Sequence, residues 1–199
     1  MIAGTVLFAL WLGVPALVAG APPAPVAGPD CSDCAHLEAP ANLTNAVVIP
    51  PASEPGERLV LEGRVLRPDG RTPADGVLLY AYHTNARGIY PKRGDERGQA
   101  RWHGSLRGWL KTGADGRYRI ETSRPAPYPD GGIPAHIHMT VMPEGGREQF
   151  IDDVVFDDDP LVTASYRARA RDVGGPGVVL PTRNAAGVWQ ATRDIVLPD

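Results

Sequence analysis

The sequence predicts an all-β protein, an antiparallel sandwich or barrel with long loops. Its apolar runs are short, glycine (23) and proline (21) separate them, and helical periodicity is nearly absent. Strands that follow one another without helices between them favour antiparallel pairing. The 43% hydrophobic content is ordinary for a globular protein. A net charge of -3, with dispersed Lys and Arg, argues against a nucleic-acid partner.

Six segments are predicted as strands because they are rich in β-branched, aromatic and apolar residues. "ADGRYRIETS" is the clearest: it opens on an Asp-Gly turn and then alternates apolar and charged residues. Only Leu161–Asp172 is predicted as a helix, and a short one. The six strand segments, in chain order, are "RLVLEGRVL", "GVLLYAYHT", "ADGRYRIETS", "IHMTVMP", "EQFIDDVVF" and "TRDIVLP".

Three regions follow from the distribution of apolar residues. Residues 1–21 are nearly all apolar, end in small residues and are interpreted as a signal peptide cleaved near Ala19 or Ala21. Because no Lys or Arg precedes this run, an uncleaved membrane anchor remains an alternative. Residues 22–57 form a Pro/Ala-rich arm, and residues 58–199 form the folded domain. The protein is therefore expected to be exported, periplasmic or extracellular, and membrane-anchored if the leader is retained.

The arm contains Cys31 and Cys34, the only two cysteines, in the motif "CSDC". In an exported protein the pair forms a local disulfide or remains as spare thiols. A redox-active CxxC site is disfavoured because the βαβ context of such sites is absent. A zinc site would need a second ligand pair, and His36 alone does not provide it. Both cysteines are expected to lie outside the core.

The motif "PAHIHMTV" is the first candidate for chemistry. In a strand, His136 and His138 share one face with Cα atoms about 6.5 Å apart, so both can reach one metal ion. Imidazole is the commonest neutral metal ligand, and Pro134 stiffens the approach to the strand. The alternative is a pair of surface or internally satisfied histidines. A zinc hydrolase would need a third ligand, for which Asp130 is within reach in sequence.

Two tyrosines upstream are held by prolines and turns. Tyr128 lies between Pro127 and Pro129, and Tyr90 lies between the turn at Gly88 and Pro91. Aromatic packing on a loop is the ordinary interpretation of each. A phenolate is, however, a hard anionic oxygen ligand that suits ferric iron, and a bound cation lowers the pKa of a phenol.

Four motifs carry a family resemblance. In order they are "LEGRVLRPDGRTPADGVLLYAYHTNARGIY", "LKTGADGRYRIETSRPAPYP", "PAHIHMTV" and "EQFIDDVVFDDDP". From about Arg58 to Leu197 the chain resembles the intradiol ring-cleavage dioxygenases, the family of catechol and protocatechuate dioxygenases. The resemblance implies a β-sandwich of the transthyretin or immunoglobulin-like kind.

The resemblance also implies a site and an activity. It implies non-haem Fe(III) held by Tyr90, Tyr128, His136 and His138, with Tyr128 also catalytic and Gln149 matching the family's glutamine. The implied reaction opens the ring of a small aromatic diol between its two hydroxyls with O2, in the catabolism of aromatic compounds. The implied partners are that diol and O2. No nucleic acid and no stable membrane partner are expected once the leader is cleaved, and an oligomer is compatible with the sequence.

The chain departs from the family pattern in three respects, one of which is the export leader, since the best-known members are cytoplasmic. Ile133 stands three residues before the first histidine, where family members usually carry an arginine that holds the bound catecholate. Arg124 and Arg147 are candidate replacements. The chain also lacks the long helical N-terminal region of many catechol-cleaving members. The alternative function is a secreted β-sandwich binding module with a vestigial metal site.

Overall fold

Two six-stranded sheets pack against each other in the computed structural model, which describes Met1, residues 34–50 and residues 53–198. Strands are numbered in chain order. The first sheet contains, in spatial order, β1 (Ala46–Val48), β5 (Arg117–Ser123), β2 (Arg58–Leu66), β11 (Trp189–Thr192) and β10 (Thr182–Arg183), and β12 (Ile195–Val196) also pairs with β2. The second sheet contains β4 (Arg107–Lys111), β3 (Leu78–His83), β6 (His136–Met142), β8 (Val154–Phe156) and β9 (Val178–Val179), and β7 (Gln149–Phe150) also pairs with β6.

The core lies between the two sheets and follows from period-two alternation. On β6, Ile137, Met139 and Val141 are fully buried, while the intervening residues point to the opposite face of the sheet. On β5, Tyr118 and Ile120 are buried in the same core. Burying one such side chain stabilises the fold by about 1.5–3 kcal/mol. The alternation therefore fixes which face of β6 packs in the core, and the opposite, outer face can carry functional side chains.

The predicted β-sandwich is confirmed, and each of the six predicted segments contains a strand. The pairing is mixed rather than wholly antiparallel. The central pairs β2–β5, β3–β4, β3–β6 and β6–β8 are antiparallel, whereas β1–β5, β2–β11, β2–β12 and β8–β9 are parallel. Parallel partners require long connections, and the peripheral strands are reached by the chain's long loops.

The helices among the described residues are single turns. Helix α2 (Ala164–Arg167) lies inside the predicted segment Leu161–Asp172, and its Thr163 side chain caps the N-terminus by accepting from Tyr166 N. Helix α1 (Ala100–His103) is not predicted by the sequence. Among the described residues, no helix has the length and apolar character needed to cross a membrane.

The predicted arm contributes to the fold where it is described. A 3-10 helix (Ala35–Glu38) packs its Ala35 against β3, and β1 extends the first sheet alongside β5. The expectation that the cysteines lie outside the core is wrong for Cys34, which is 6% exposed and disulfide-bonded. The 3-10 helix that follows Cys34 packs against β3, and this places Cys34 in a buried position. Cys31 lies outside the described residues, as does the predicted signal peptide apart from Met1.

Candidate metal centre

The outer face of β6 carries the two histidines of the HxH motif. Ile137 and Met139 point into the core, so His136 and His138 project together from the opposite face of the strand. Their Nε2 atoms lie 3.0 Å apart. The strand therefore aims two imidazole nitrogens at one point.

Two loops bring the tyrosines to the same point. The loop after β3 carries Tyr90, and the loop after β5 carries Tyr128. The loops are tied together because the Thr84 hydroxyl donates to Ala126 O and Ala126 N donates to Asn85 O. Gly88 makes a close approach between them: its φ is +74°, and a Cβ there would lie 2.0 Å from Pro127 O. A glycine is therefore needed at this contact.

The four predicted ligand atoms converge. The phenol oxygens of Tyr90 and Tyr128 are 2.6 Å apart. Tyr90 Oη lies 3.0 Å from His138 Nε2, and Tyr128 Oη lies 3.3 Å from His136 Nε2 and 3.4 Å from His138 Nε2. Donor atoms about 2.0 Å from a common metal ion, with bond angles of about 80–120°, lie about 2.6–3.5 Å apart. The donor set therefore fits a single metal ion.

The hydrogen bonds on the far side of each imidazole fix its tautomer. His136 Nδ1 donates to Pro134 O at 2.7 Å, because a carbonyl can only accept. His138 Nδ1 donates to Asp153 Oδ1 at 2.8 Å. With the proton on Nδ1, each neutral ring presents a bare lone pair at Nε2. Two such lone pairs at 3.0 Å repel each other unless a cation lies between them.

The electrostatics of the site also favour a cation. Burial, followed by the neighbouring imidazole of His138, lowers the pKa of His136, which keeps the His136 imidazole neutral and able to bind a metal. Burial, then the hydrogen bond to Tyr128, raises the pKa of Tyr90 well above its ordinary value. The Tyr90 phenol therefore stays protonated without a cation, whereas a bound metal ion would supply the charge that ionises it.

Aromatic rings extend from the site under the N-terminal segment. The Tyr82 ring stacks on His138 with centroids 4.5 Å apart, and on its other side it stacks on His103 at 3.6 Å. Tyr80 Oη lies 2.8 Å from His103 Nδ1, and Trp109 Nε1 donates to Ala35 O. These rings pack together on the outer face of the second sheet beside the cluster.

Comparisons with known proteins identify the family of the chain. A family model described as Dioxygenase matches residues 27–187. The chain belongs to the intradiol ring-cleavage dioxygenase family. It is 30% identical over 130 residues to catechol 1,2-dioxygenase 1 of Acinetobacter lwoffii, covering 57% of this chain and 40% of that relative. It is 33% identical over 113 residues to the protocatechuate 3,4-dioxygenase beta chain of Burkholderia cepacia, covering 54% of this chain and 48% of that relative. This intradiol-family chain thus spans about half the length of the curated relatives it matches.

Solved structures give the same picture of the fold. The dioxygenase domain of a dioxygenase and carbohydrate-binding protein fusion from Streptomyces sp. SirexAA-E superposes with a TM-score of 0.58 at 25% identity, covering 80% of this chain and 91% of that chain. Catechol 1,2-dioxygenase from Acinetobacter sp. ADP1 superposes with a TM-score of 0.60 at 21% identity, covering 79% and 59%. The second likeness supports the shared fold alone.

Gln149, which the intradiol-family resemblance pointed to, is not brought to the cluster. It pairs with Val141, whose side chain lies in the core, and its Oε1 is buried without a hydrogen-bond partner among the described residues. The carboxylate that contacts the site is Asp153, on the far side of the His138 ring, and sequence reasoning missed it. Asp130, the third ligand considered for a zinc site, is exposed.

The arginine position of the intradiol family is occupied by an exposed apolar residue. Ile133 is 44% exposed and lines a groove of about 440 Å³ together with Phe150, Asp153, Tyr166 and Arg169. Because Asp153 contacts His138, this groove adjoins the candidate metal ligands. Of the candidate replacements for the arginine, Arg124 is paired with Asp158 and lies over the rings of Phe156 and Trp189, and Arg147 is exposed just after a turn.

A second group of potential ligands lies beside the 3-10 helix, and it consists of Cys34, His36 and Glu148. The sulfur of Cys34 is held in a disulfide, so it is not available as a thiolate ligand. Glu148 accepts from both the backbone N and the Nδ1 of His36, and its other oxygen accepts from Thr140. This group therefore fastens the N-terminal segment onto β6.

Proposed function

We propose that the chain is a non-haem Fe(III) dioxygenase that cleaves a catechol-type ring between its two hydroxyls with O2. The observation that carries the proposal is the convergence of two phenol oxygens and two Nε2 atoms at 2.6–3.4 Å. Phenolate oxygen favours ferric iron over softer metals, and imidazole binds it as well. Membership of the intradiol family supports the same assignment.

Four residues would hold the iron: Tyr90, Tyr128, His136 and His138. When bound, ferric iron supplies the Lewis acid that takes the two oxygens of a diphenol and the redox partner that prepares the ring for O2. The protein supplies position and charge. As tyrosinates, Tyr90 and Tyr128 would offset part of the positive charge of the metal. The neutral histidines would add no negative charge, so a dianionic substrate would still be attracted to the site.

Tyr128 is the residue proposed to handle a proton. Its Oη contacts three of the other donor atoms, and it lies on a loop rather than on the rigid strand β6. A diphenol that binds with both oxygens must lose two protons. With iron bound, Tyr128 would be placed to accept one of these protons at Oη, and the other would pass to solvent.

The substrate is proposed to be a diphenol with an apolar or bulky substituent. Ile133 and Phe150 are both large, apolar and more than 40% exposed, and both line the groove beside Asp153. An apolar substituent on the ring would cover these side chains, whereas plain catechol would leave them in water. Ile133 also carries no positive charge, so this position does not help to hold a small, charged catecholate.

We also propose that the protein works outside the cytoplasm. The apolar segment of residues 1–21 supports export, and a disulfide at Cys34 is compatible with an oxidising compartment. The diphenol would then meet the enzyme in the periplasm or outside the cell.

Oxygen uptake by iron-loaded protein tests the proposed activity. The panel contains catechol, protocatechuate, hydroxyquinol and alkylated or lignin-derived diphenols. We expect one O2 to be consumed per diphenol cleaved, and with 18O2 both labelled atoms should appear in a ring-opened diacid. Cleavage beside rather than between the hydroxyls, or no turnover by protein that holds ferric iron, would contradict the proposal. The His138→Ala variant is the control for cleavage by iron in solution.

A further inference from the structure

The strand register places one carboxylate directly across from a metal ligand. In the antiparallel pair β6–β8, His136 faces Val155 and Ile137 faces Val154. The next position in this register pairs His138 with Asp153, and partners in an antiparallel ladder project from the same face. Asp153 Oδ1 accordingly lies 2.8 Å from His138 Nδ1.

The two candidate histidine ligands therefore have unequal partners. His136 Nδ1 donates to a neutral acceptor, the carbonyl of Pro134, two residues earlier in the chain. His138 Nδ1 donates to a carboxylate, which forms the stronger, charge-assisted hydrogen bond. A carboxylate that draws on the Nδ1 proton increases the electron density of the ring, and a more basic imidazole binds a metal more tightly at Nε2.

Asp153 is not placed as a metal ligand itself. Its oxygen contacts Nδ1, whereas the tyrosine oxygens and the other imidazole contact Nε2 of the same ring. The Tyr82 ring stacked on His138 restrains the remaining rotation of the imidazole. His138 is thus held at its edge by Asp153 and on its face by Tyr82.

We infer that Asp153 is a positioning residue that fixes the tautomer and direction of His138 and strengthens it as a donor to the metal. This inference rests on the proposed function, because it requires a metal ion at the Nε2 atoms. It makes His138 the stronger imidazole donor of the two, with an electronic effect on the metal as well as a geometric one.

The test compares Asp153→Asn and Asp153→Ala with a neighbouring control, Asp152→Asn. The Asp152 carboxylate contacts Arg171 rather than a candidate ligand, so the control removes the same charge one residue away. Two readouts are measured on iron-loaded protein: retention of iron against a competing chelator, and the energy of the visible tyrosinate-to-iron charge-transfer band.

For Asp153→Ala we expect iron retention to fall about 10- to 100-fold, the usual effect of removing a hydrogen-bond partner from a metal-binding histidine. Asp153→Asn keeps an acceptor oxygen without the charge, so it should retain more iron while still shifting the band. Asp152→Asn should change neither readout. A purely structural role would lower retention without moving the band in the isosteric Asn variant.

The possible failures are distinguishable. A wild-type protein that binds no ferric iron, or binds it without the band, contradicts the proposed function. A wild-type protein with the band, together with Asp153 variants that retain iron and absorb as the wild type does, overturns only the inference on Asp153. Thermal unfolding of the metal-free variants shows whether each has folded, and Asp153→Asn decides the outcome if Asp153→Ala does not fold.

Discussion

Gly88→Ala is expected to open the metal centre without touching any candidate ligand. A Cβ at this position would lie 2.0 Å from Pro127 O and 3.0 Å from Pro127 C. Since non-bonded heavy atoms rest about 3.5 Å apart, the two loops must separate by about 1.5 Å. That displacement is comparable to the 2.6 Å between the two phenol oxygens those loops carry. It should weaken iron retention at least tenfold.

Gly70→Ala is the matched control. Gly70 has φ +67° against +74° for Gly88, but a Cβ there would meet nothing within 4 Å. The free energy of unfolding of the control should therefore fall only by the cost of placing a non-glycine residue in a left-handed backbone conformation, about 1–2 kcal/mol. Gly88→Ala should lose about 1–3 kcal/mol more from overpacking. Urea unfolding of metal-free protein and chelator competition measure the two effects. Equal losses of stability and unchanged iron retention in both variants would refute the reasoning.

Three further predictions concern the pocket, the core and the leader. Ile133→Arg should tighten catechol binding about ten- to hundredfold, since a charge-assisted hydrogen bond contributes about 1.5–3 kcal/mol; a titration showing unchanged or weaker binding contradicts this. Burial lowers the pKa of His83 to about 4, from about 6.5 in the unfolded chain. The stability that the neutral form contributes is therefore complete above about pH 6.5, and the free energy of unfolding should fall by about 3 kcal/mol as the pH falls towards 4. Denaturant unfolding across this range should show a smaller loss in His83→Asn, and an unchanged slope would exclude His83 as the source. Mass spectrometry of exported protein should show residues 1–21 removed, and purified cytosolic protein with an intact N-terminus would end the export proposal.

The sequence predicted those parts of the fold that depend on local pattern. The alternation in "ADGRYRIETS" and the apolar face of β6 both reappear as buried residues facing the core. The 3-10 helix and β1 could not be predicted, because their segment has no sustained period and is ordered by partners far away in sequence. Glu148, which holds His36, is one of these partners, 112 residues distant along the chain.

The candidate site divides in the same way. The convergence of Tyr90, Tyr128, His136 and His138 was expected from the order of the motifs that the chain shares with the intradiol family. The residue facing His138 depends on how β6 pairs with β8, and a strand register cannot be deduced from a short apolar run. The family resemblance pointed to Gln149 as the family's glutamine and said nothing about the partner of His138, which the register shows to be Asp153.

The visible spectrum of ferric-loaded protein tests the central claim most directly. The claim is that both tyrosines bind one ferric ion together with His136 and His138. We predict a burgundy protein with one iron per chain, a band weakened in Tyr90→Phe and in Tyr128→Phe, and loss of both iron and colour in His138→Ala. A colourless protein that nonetheless binds iron tightly, or a band unchanged by both tyrosine substitutions, would contradict it.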